Sequence, residues 1–231
     1  ANSNPSIDIN KDIGQVEFNN TYIDIHTDMI INLSSVDVDL VKNRNFTVVV
    51  DAVNSTGGLA VPELLKKLGV NVIELYCNPN GEFPHNPEPL KENLKDLSEL
   101  VIKEKADLGI VVDPDVDRLA FVSENGEVFG EEYTLVACAD YFLKNNPGNT
   151  VSNLSSSRAL KDIAELNGCK HFFSAVGEVN VVEMMKEKNA VIGGEGNGGI
   201  ILPVLHYGRD ALVGIALFLT YLSRLNISCS Q

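Results

Sequence analysis

One order of elements occurs twice along this chain, and it restricts the fold more than any other feature. A β-branched run, Phe46-Thr-Val-Val-Val50, ends at Asp51 and gives way to the loop Asn54-Ser-Thr-Gly-Gly58. A helix is expected from Pro62 to Leu68, with proline in the first turn, where a missing N–H is harmless. Gly69 ends that helix, and Val70 to Tyr76 reads as the next strand. The second copy runs strand (Thr150 to Leu154), loop (Ser155-Ser-Ser157), helix (Arg158 to Leu166, stopped by Gly168) and strand (Lys170 to Ser174). Strand, crossover helix, strand is the grammar of parallel pairing.

Each copy then continues as helix, strand, loop, strand. In the first, Leu90, Leu94, Leu97 and Val101 mark a helix, Asp107 to Val112 and Leu119 to Val122 are strands, and Glu124-Asn-Gly126 is a hairpin turn. In the second, Val181 to Lys188 is the helix, Ala190 to Ile192 and Ile200 to Leu202 the strands, and Gly193 to Gly199 the loop between them. The expected fold is α/β: two tandem domains of similar α/β/α architecture with mixed, partly parallel sheets. Asn145-Asn-Pro-Gly-Asn149 marks the boundary. Residues 1–19 read as a tail or the remnant of a preceding domain, 20–147 as the first domain and 148–231 as the second. Within the first, Tyr22, Ile25, Met29 and Leu33 predict an amphipathic helix, and Glu131 to Leu143 a closing one.

Charge narrows the function. Lys plus Arg is 18 against 32 Asp plus Glu, a net charge of −14, so neither nucleic acid nor a membrane surface is an expected partner. A phosphorylated ligand remains possible if a metal, a few cations or backbone N–H groups supply local positive charge. The four cysteines have no CxxC or zinc spacing and suit a reducing, cytoplasmic setting. The apolar stretch Ala211 to Leu222 falls short of the roughly 20 residues a membrane span needs, so it reads as a buried helix.

The strongest chemical signal is Asp113, Asp115, Asp117 and Arg118 at the end of the uncharged run Leu108 to Val112. Alternate positions of an extended chain point the same way. Three converging carboxylates repel unless a cation lies between them, and their oxygens suit a hard ion such as Mg²⁺. Arg118 offers a fork for a phosphate. An EF-hand is a poor match, because Arg118 stands where that loop needs glycine and strands flank the segment. A haloacid-dehalogenase-type phosphatase, with Asp113 as nucleophile and Asp115 as acid/base, is the rival chemistry.

The second signal is Gly193-Gly-Glu-Gly-Asn-Gly-Gly199, whose glycines permit close ligand approach. Its Glu195 and Asn197 suit two adjacent hydroxyls of a sugar. Weaker candidates are Ser174 to Glu178, and His206 to Asp210, where Asp210 reads as a helix cap and Arg209 as a possible ligand contact. His85 and Ser155 to Ser157 read as structural.

Taken together, DPDVDR, VGEVNV, GGEGNGG and HYGRDAL, in this order, resemble the phosphoglucomutase/phosphomannomutase (phosphohexomutase) family. VVVDAVNSTGG and LYCNPNGEFPHNPEPL resemble the second of that family's four domains. The resemblance implies that this chain is a fragment holding the second and third domains. The first domain, with its phosphoserine, and the fourth, with its phosphate-binding loop, would be the missing partners; Pro84-His-Asn-Pro87 lacks the serine. It further implies an intramolecular phosphotransferase acting on hexose phosphate through a hexose bisphosphate. In that scheme Asp113, Asp115 and Asp117 hold Mg²⁺, Arg118 is catalytic, and Glu195 and Asn197 grip sugar hydroxyls. Gly177, Glu178, Arg209 and Asp210 line the substrate side, and the fragment alone is expected to be inactive. Two residues depart from the family pattern: Ala175 where many members have Lys, and Gly199 where many have His. A non-catalytic module binding a metal or a sugar phosphate is the alternative of another class.

Overall fold

The computed structural model describes residues 16–231, so residues 1–15 of the expected tail lie outside it. The first half runs α1 (Tyr22–Ile31), α2 (Val38–Asn43), β1 (Thr47–Asp51), α3 (Gly57–Lys67), β2 (Asn71–Leu75), α4 (Lys95–Glu104), β3 (Leu108–Val112) and β4 (Leu119–Ser123). Helix α5 (Glu131–Leu143) follows. The second half runs β5 (Asn149–Asn153), α6 (Ala159–Leu166), β6 (His171–Ser174), α7 (Glu178–Lys188), β7 (Ala190–Glu195), β8 (Gly199–Ile201) and α8 (Ala211–Leu225).

The two sheets have one topology. Their orders are β2-β1-β3-β4 and β6-β5-β7-β8. In each, the first three strands pair in parallel and the last returns antiparallel by a tight connection. The acidic loop 113–118 and the glycine-rich turn 196–198 are therefore equivalent connections in the two copies.

The helices differ from expectation where packing overrides local pattern. Helix α3 begins at Gly57, so Pro62 lies inside it and removes one intrahelical hydrogen bond. The early start rests on Gly58, where a Cβ would lie 2.2 Å from the carbonyl oxygen of Cys77; only glycine lets the helix begin that close to the segment after β2. Helix α1 forms, but Tyr22, Ile25 and Met29 face outward, each about half exposed or more, and Thr27 and Ile30 face inward. Thr27 is tolerated there because its hydroxyl donates to the carbonyls of Ile23 and Asp24. Helix α7 starts at Glu178 rather than Val181, and β7 continues through Gly193 and Gly194 into Glu195. Those two strand positions require glycine because a Cβ would lie 2.6 Å from the carbonyl oxygen of Val151 at Gly193 and 1.9 Å from that of Gly199 at Gly194. Helix α2, N-capped by Asp37, which accepts from the Leu40 N–H, was not foreseen.

Helix α8 is buried along most of its length and contacts α1, α2, α3 and α5 as well as β4 and β8. Among the described residues no helix is long and apolar enough to cross a membrane. Phe218 of α8 stacks on Phe121 of β4, with ring centroids 4.0 Å apart, and meets Phe129 edge-on at 5.3 Å. The last helix of the second half thus completes the core of the first. All four cysteines are free thiols. Truncating a buried phenylalanine costs about 3–5 kcal/mol, so Phe218→Ala is expected to lose that much stability in urea unfolding followed by circular dichroism. Both halves should still unfold in one transition. Two separate transitions in the parent protein would show that the halves do not share a core.

Candidate active site

The acidic loop is a coil, not the extended segment that the alternation argument assumed. The Val116 N–H donates to the Asp113 carbonyl at 3.2 Å, and Val116 itself sits at φ +64°. A β-branched residue in the left-handed region is a true outlier. This coil brings carboxylate oxygens of Asp113, Asp115 and Asp117 within 4.8 Å of one another. Asp113 is 6% exposed, and its Oδ1 accepts the Asp117 and Arg118 N–H groups, each at 3.0 Å. Burial, with the charges of Asp117 and Asp115 adding to it, pushes the Asp113 carboxyl up to about 7. Asp117 Oδ1 is buried with no hydrogen-bond partner. Charge repulsion and an orphaned carboxylate oxygen are what a hard divalent cation relieves, so this donor set fits such a cation.

Arg118 turns over the loop, its Nη1 3.2 Å from Glu88 Oε1 and its Nε 3.6 Å from Asp113 Oδ2. It lines a cavity of about 350 Å³ together with Asn197, Gly196, Ser155 and Glu88. Asn197 therefore faces the same space as Arg118. Its Oδ1 also accepts the Gly199 N–H, which shapes the turn. Glu195 is 6% exposed: Oε1 accepts from Asn153 Nδ2 at 2.7 Å and Oε2 from Arg209 Nη1 at 2.8 Å. Gly177, at φ +111°, precedes α7. Glu178 accepts the Arg209 main-chain N–H at 3.1 Å. Arg209 also donates to Asp117, so its guanidinium is occupied by protein carboxylates. Asp210 caps α8, with Oδ1 accepting the Leu212 and Val213 N–H groups.

Of the residues that support the site, Ser55 and Thr56 were not foreseen, whereas His85, Ser155 and Ser156 were read as structural. The Ser55 and Thr56 hydroxyls both donate to the Pro114 carbonyl, fastening the loop after β1 to the acidic loop. The Gly196 N–H donates to Ser156 Oγ, and Ser155 and Ser156 hold Asn153 Oδ1. His85 pairs with buried Asp51 through Nε2 while Nδ1 faces the Asn86 carbonyl. With acceptors at both nitrogens, its pKa is raised, mainly by the Asp51 hydrogen bond. The serine- and asparagine-rich composition of these loops signals turns but does not name the carbonyls they hold.

A second cluster joins the halves. Asp210 Oδ2 accepts from His26 Nε2 at 2.8 Å and from His206 Nε2 at 3.1 Å. These three side chains could also surround a metal, but the Gly208 N–H donates to His206 Nδ1. The ring proton of neutral His206 is therefore on Nε2, and metal ligation there would set an Nδ1–H against the Gly208 N–H. The cluster is a hydrogen-bonded latch.

Burial opposes ionisation of Asp210, yet the His206 and His26 hydrogen bonds outweigh it and hold the carboxyl at about 2. The Asp210 hydrogen bond raises His26 above its usual 6.5 against the pull of burial. The depressed Asp210 stabilises the fold above pH 3.8, a contribution lost as pH falls through about 2. The raised His26 stabilises it below pH 6.5, a contribution lost as pH rises through its folded pKa. The Tm difference between the parent and His26→Ala should accordingly be larger near pH 5.5 than near pH 8.5. Equal differences at both pH values would remove the charge from this latch.

Similarity to known proteins gives the chain its family. Residues 24–126 match the family model for phosphoglucomutase/phosphomannomutase, alpha/beta/alpha domain II, and residues 130–231 match that for domain III. A phosphoglucomutase/phosphomannomutase of Thermococcus kodakarensis is 42% identical over 183 residues, covering 78% of this chain and 40% of the relative. A phosphoglucosamine/phosphogalactosamine mutase of Sulfurisphaera tokodaii is 30% identical over 203 residues, covering 86% and 45%. The crystal structure of a phosphoglucomutase/phosphomannomutase family protein from Burkholderia thailandensis superposes with a TM-score of 0.73 at 28% identity, over 82% of this chain and 43% of that one. The chain thus spans less than half the length of these relatives. With both halves matched in order, the chain belongs to the phosphoglucomutase/phosphomannomutase family.

Proposed function

We propose that this chain forms the second and third domains of a Mg²⁺-dependent phosphohexomutase. The parent enzyme would move a phosphoryl group between the 1 and 6 positions of a glucose or mannose phosphate, through a phosphoserine outside this chain and a hexose bisphosphate intermediate. The single observation that carries the reading is the convergence of the acidic loop and the glycine-rich hairpin on one cavity, with Arg118 and Asn197 both facing it. A cytoplasmic setting agrees with four free thiols. One relative is named for amino sugars, so the hexose class extends to them.

Asp113, Asp115 and Asp117 would hold the cation, which supplies positive charge against the phosphoryl group when bound. Arg118 presents a planar fork to the phosphoryl oxygens while Glu88 holds its other edge. Asn197 offers its amide to a sugar hydroxyl from the cavity wall. Glu195, already fixed by Asn153 and Arg209, keeps lone pairs for a second hydroxyl. Gly177, Glu178, Arg209 and Asp210 would stand behind the substrate side, with Glu178 holding the Arg209 main-chain N–H and Asp210 capping α8. Geometry gives the phosphatase reading no support: Asp113 is 6% exposed, and two backbone N–H groups occupy its Oδ1.

Three outcomes test this reading. Removing one charged hydrogen bond costs about 1.5–3 kcal/mol, so Glu195→Ala in the full-length enzyme should lower kcat/KM at least about tenfold with Mg²⁺ activation nearly unchanged. Asp115→Asn should instead weaken Mg²⁺ activation. If Glu195→Ala keeps full activity, the hairpin is a structural turn. The chain by itself, with no phosphoserine, should give no turnover when assayed on hexose 1-phosphate; measurable 6-phosphate would revive chemistry based on Asp113.

A further inference from the structure

Among the described residues, Arg209 is the one side chain that hydrogen-bonds to both functional connections. Its Nη2 donates to Asp117 of the acidic loop and its Nη1 to Glu195 at the end of β7. Its Nε lies 3.4 Å from Glu178 Oε2, and its main-chain N–H donates to Glu178 Oε1. The side chain is only 13% exposed. Three carboxylates from three separate segments thus share one guanidinium.

The stem is confined as closely as the head. At Gly199 a Cβ would lie 2.4 Å from Arg209 Cδ, so the missing side chain at 199 is the space through which the arginine passes. Main-chain pairing of Arg209 with Ile201 fixes the other end. A guanidinium with rigid, coplanar donors can address two carboxylates at a set separation, which a single ammonium cannot.

We propose that Arg209 is a positioning residue that sets the separation of the metal-binding Asp117 and the sugar-binding Glu195, using the gap at Gly199 to reach both. It acts through these two carboxylates and makes no contact with substrate. The roles of Asp117 and Glu195 rest on the mutase reading; the mechanical link between the two connections does not.

Two variants probe the link. Arg209→Lys keeps the charge and loses the fork, and Gly199→Ala leaves Arg209 intact but obstructs its stem. In hydrogen exchange of the protein, both variants should speed amide exchange in residues 113–118 and in residues 194–199, by roughly tenfold for a lost charged hydrogen bond. Unchanged exchange at residues 113–118 in Arg209→Lys overturns the proposal. In the full-length enzyme, Arg209→Lys should raise both the half-saturating Mg²⁺ concentration and the hexose phosphate KM. A rise in KM alone, with the Mg²⁺ requirement and exchange unchanged, would make Arg209 a direct substrate ligand and overturn the positioning role. A wild-type enzyme without mutase turnover would defeat the functional reading and leave the exchange result standing.

Discussion

Helix α8 must begin inside the protein, and the satisfaction of its first N–H groups organises the site around it. A buried helix start leaves orphan donors. Two of them go to Asp210 Oδ1, and the Ala211 N–H goes to the carbonyl of Val116 in the acidic loop. The helix is thereby bonded through its backbone to the connection after β3. Its Phe218 then stacks on Phe121, and the residue before its cap, Arg209, reaches Asp117 and Glu195. The two connections meet because the helix that joins the sheets starts where they end.

Both copies support their functional connection in the same manner. In the first, hydroxyls from the loop after β1 hold the Pro114 carbonyl. In the second, Asn153 and Ser156, at and after the end of β5, hold Glu195 and the Gly196 N–H. The shared topology explains the correspondence. In a parallel sheet the C-terminal ends of neighbouring strands lie side by side, so the loop after the first strand borders the connection after the third. One backbone frame has taken acidic residues in one copy and glycines in the other.

The alternation of β-branched runs, helices and glycine stops was enough to place the eight strands of the described residues. The second-half helix α6 and the buried helix α8 were equally legible, because caps and glycine stops are local signals. What stayed illegible depends on contacts distant in sequence. The start of α3 depends on how closely Gly58 approaches Cys77. The outward face of α1 depends on which side the rest of the chain covers; Thr27 is buried where the apolar stripe predicted Tyr22 and Met29. The residue types of the site were readable, since DxDxDR and a glycine-rich hairpin are chemically specific. The occupation of Arg209 was not, because Asp117 and Glu178 lie far from it in the chain.

The acidic loop also carries backbone strain, and the strain has a consequence for ligand binding. A left-handed β-branched residue of the Val116 kind costs about 1–3 kcal/mol and persists only when its surroundings over-determine it. Here the surroundings are specific. Asp113 Oδ1 holds the N–H groups of Asp117 and Arg118, the Val116 carbonyl accepts from α8, and the Pro114 carbonyl accepts two hydroxyls. Each of these contacts is made between protein groups. They gather the three carboxylates, and burial, with the charges of Asp117 and Asp115 adding to it, is what raises Asp113 there. A divalent ion entering such a loop has little backbone to order, so its binding energy goes into relieving charge repulsion. Departures that would disturb the loop's supports, such as a side chain at Gly199 or the loss of the Asp210 cap, act on that preorganisation without touching any of the three carboxylates.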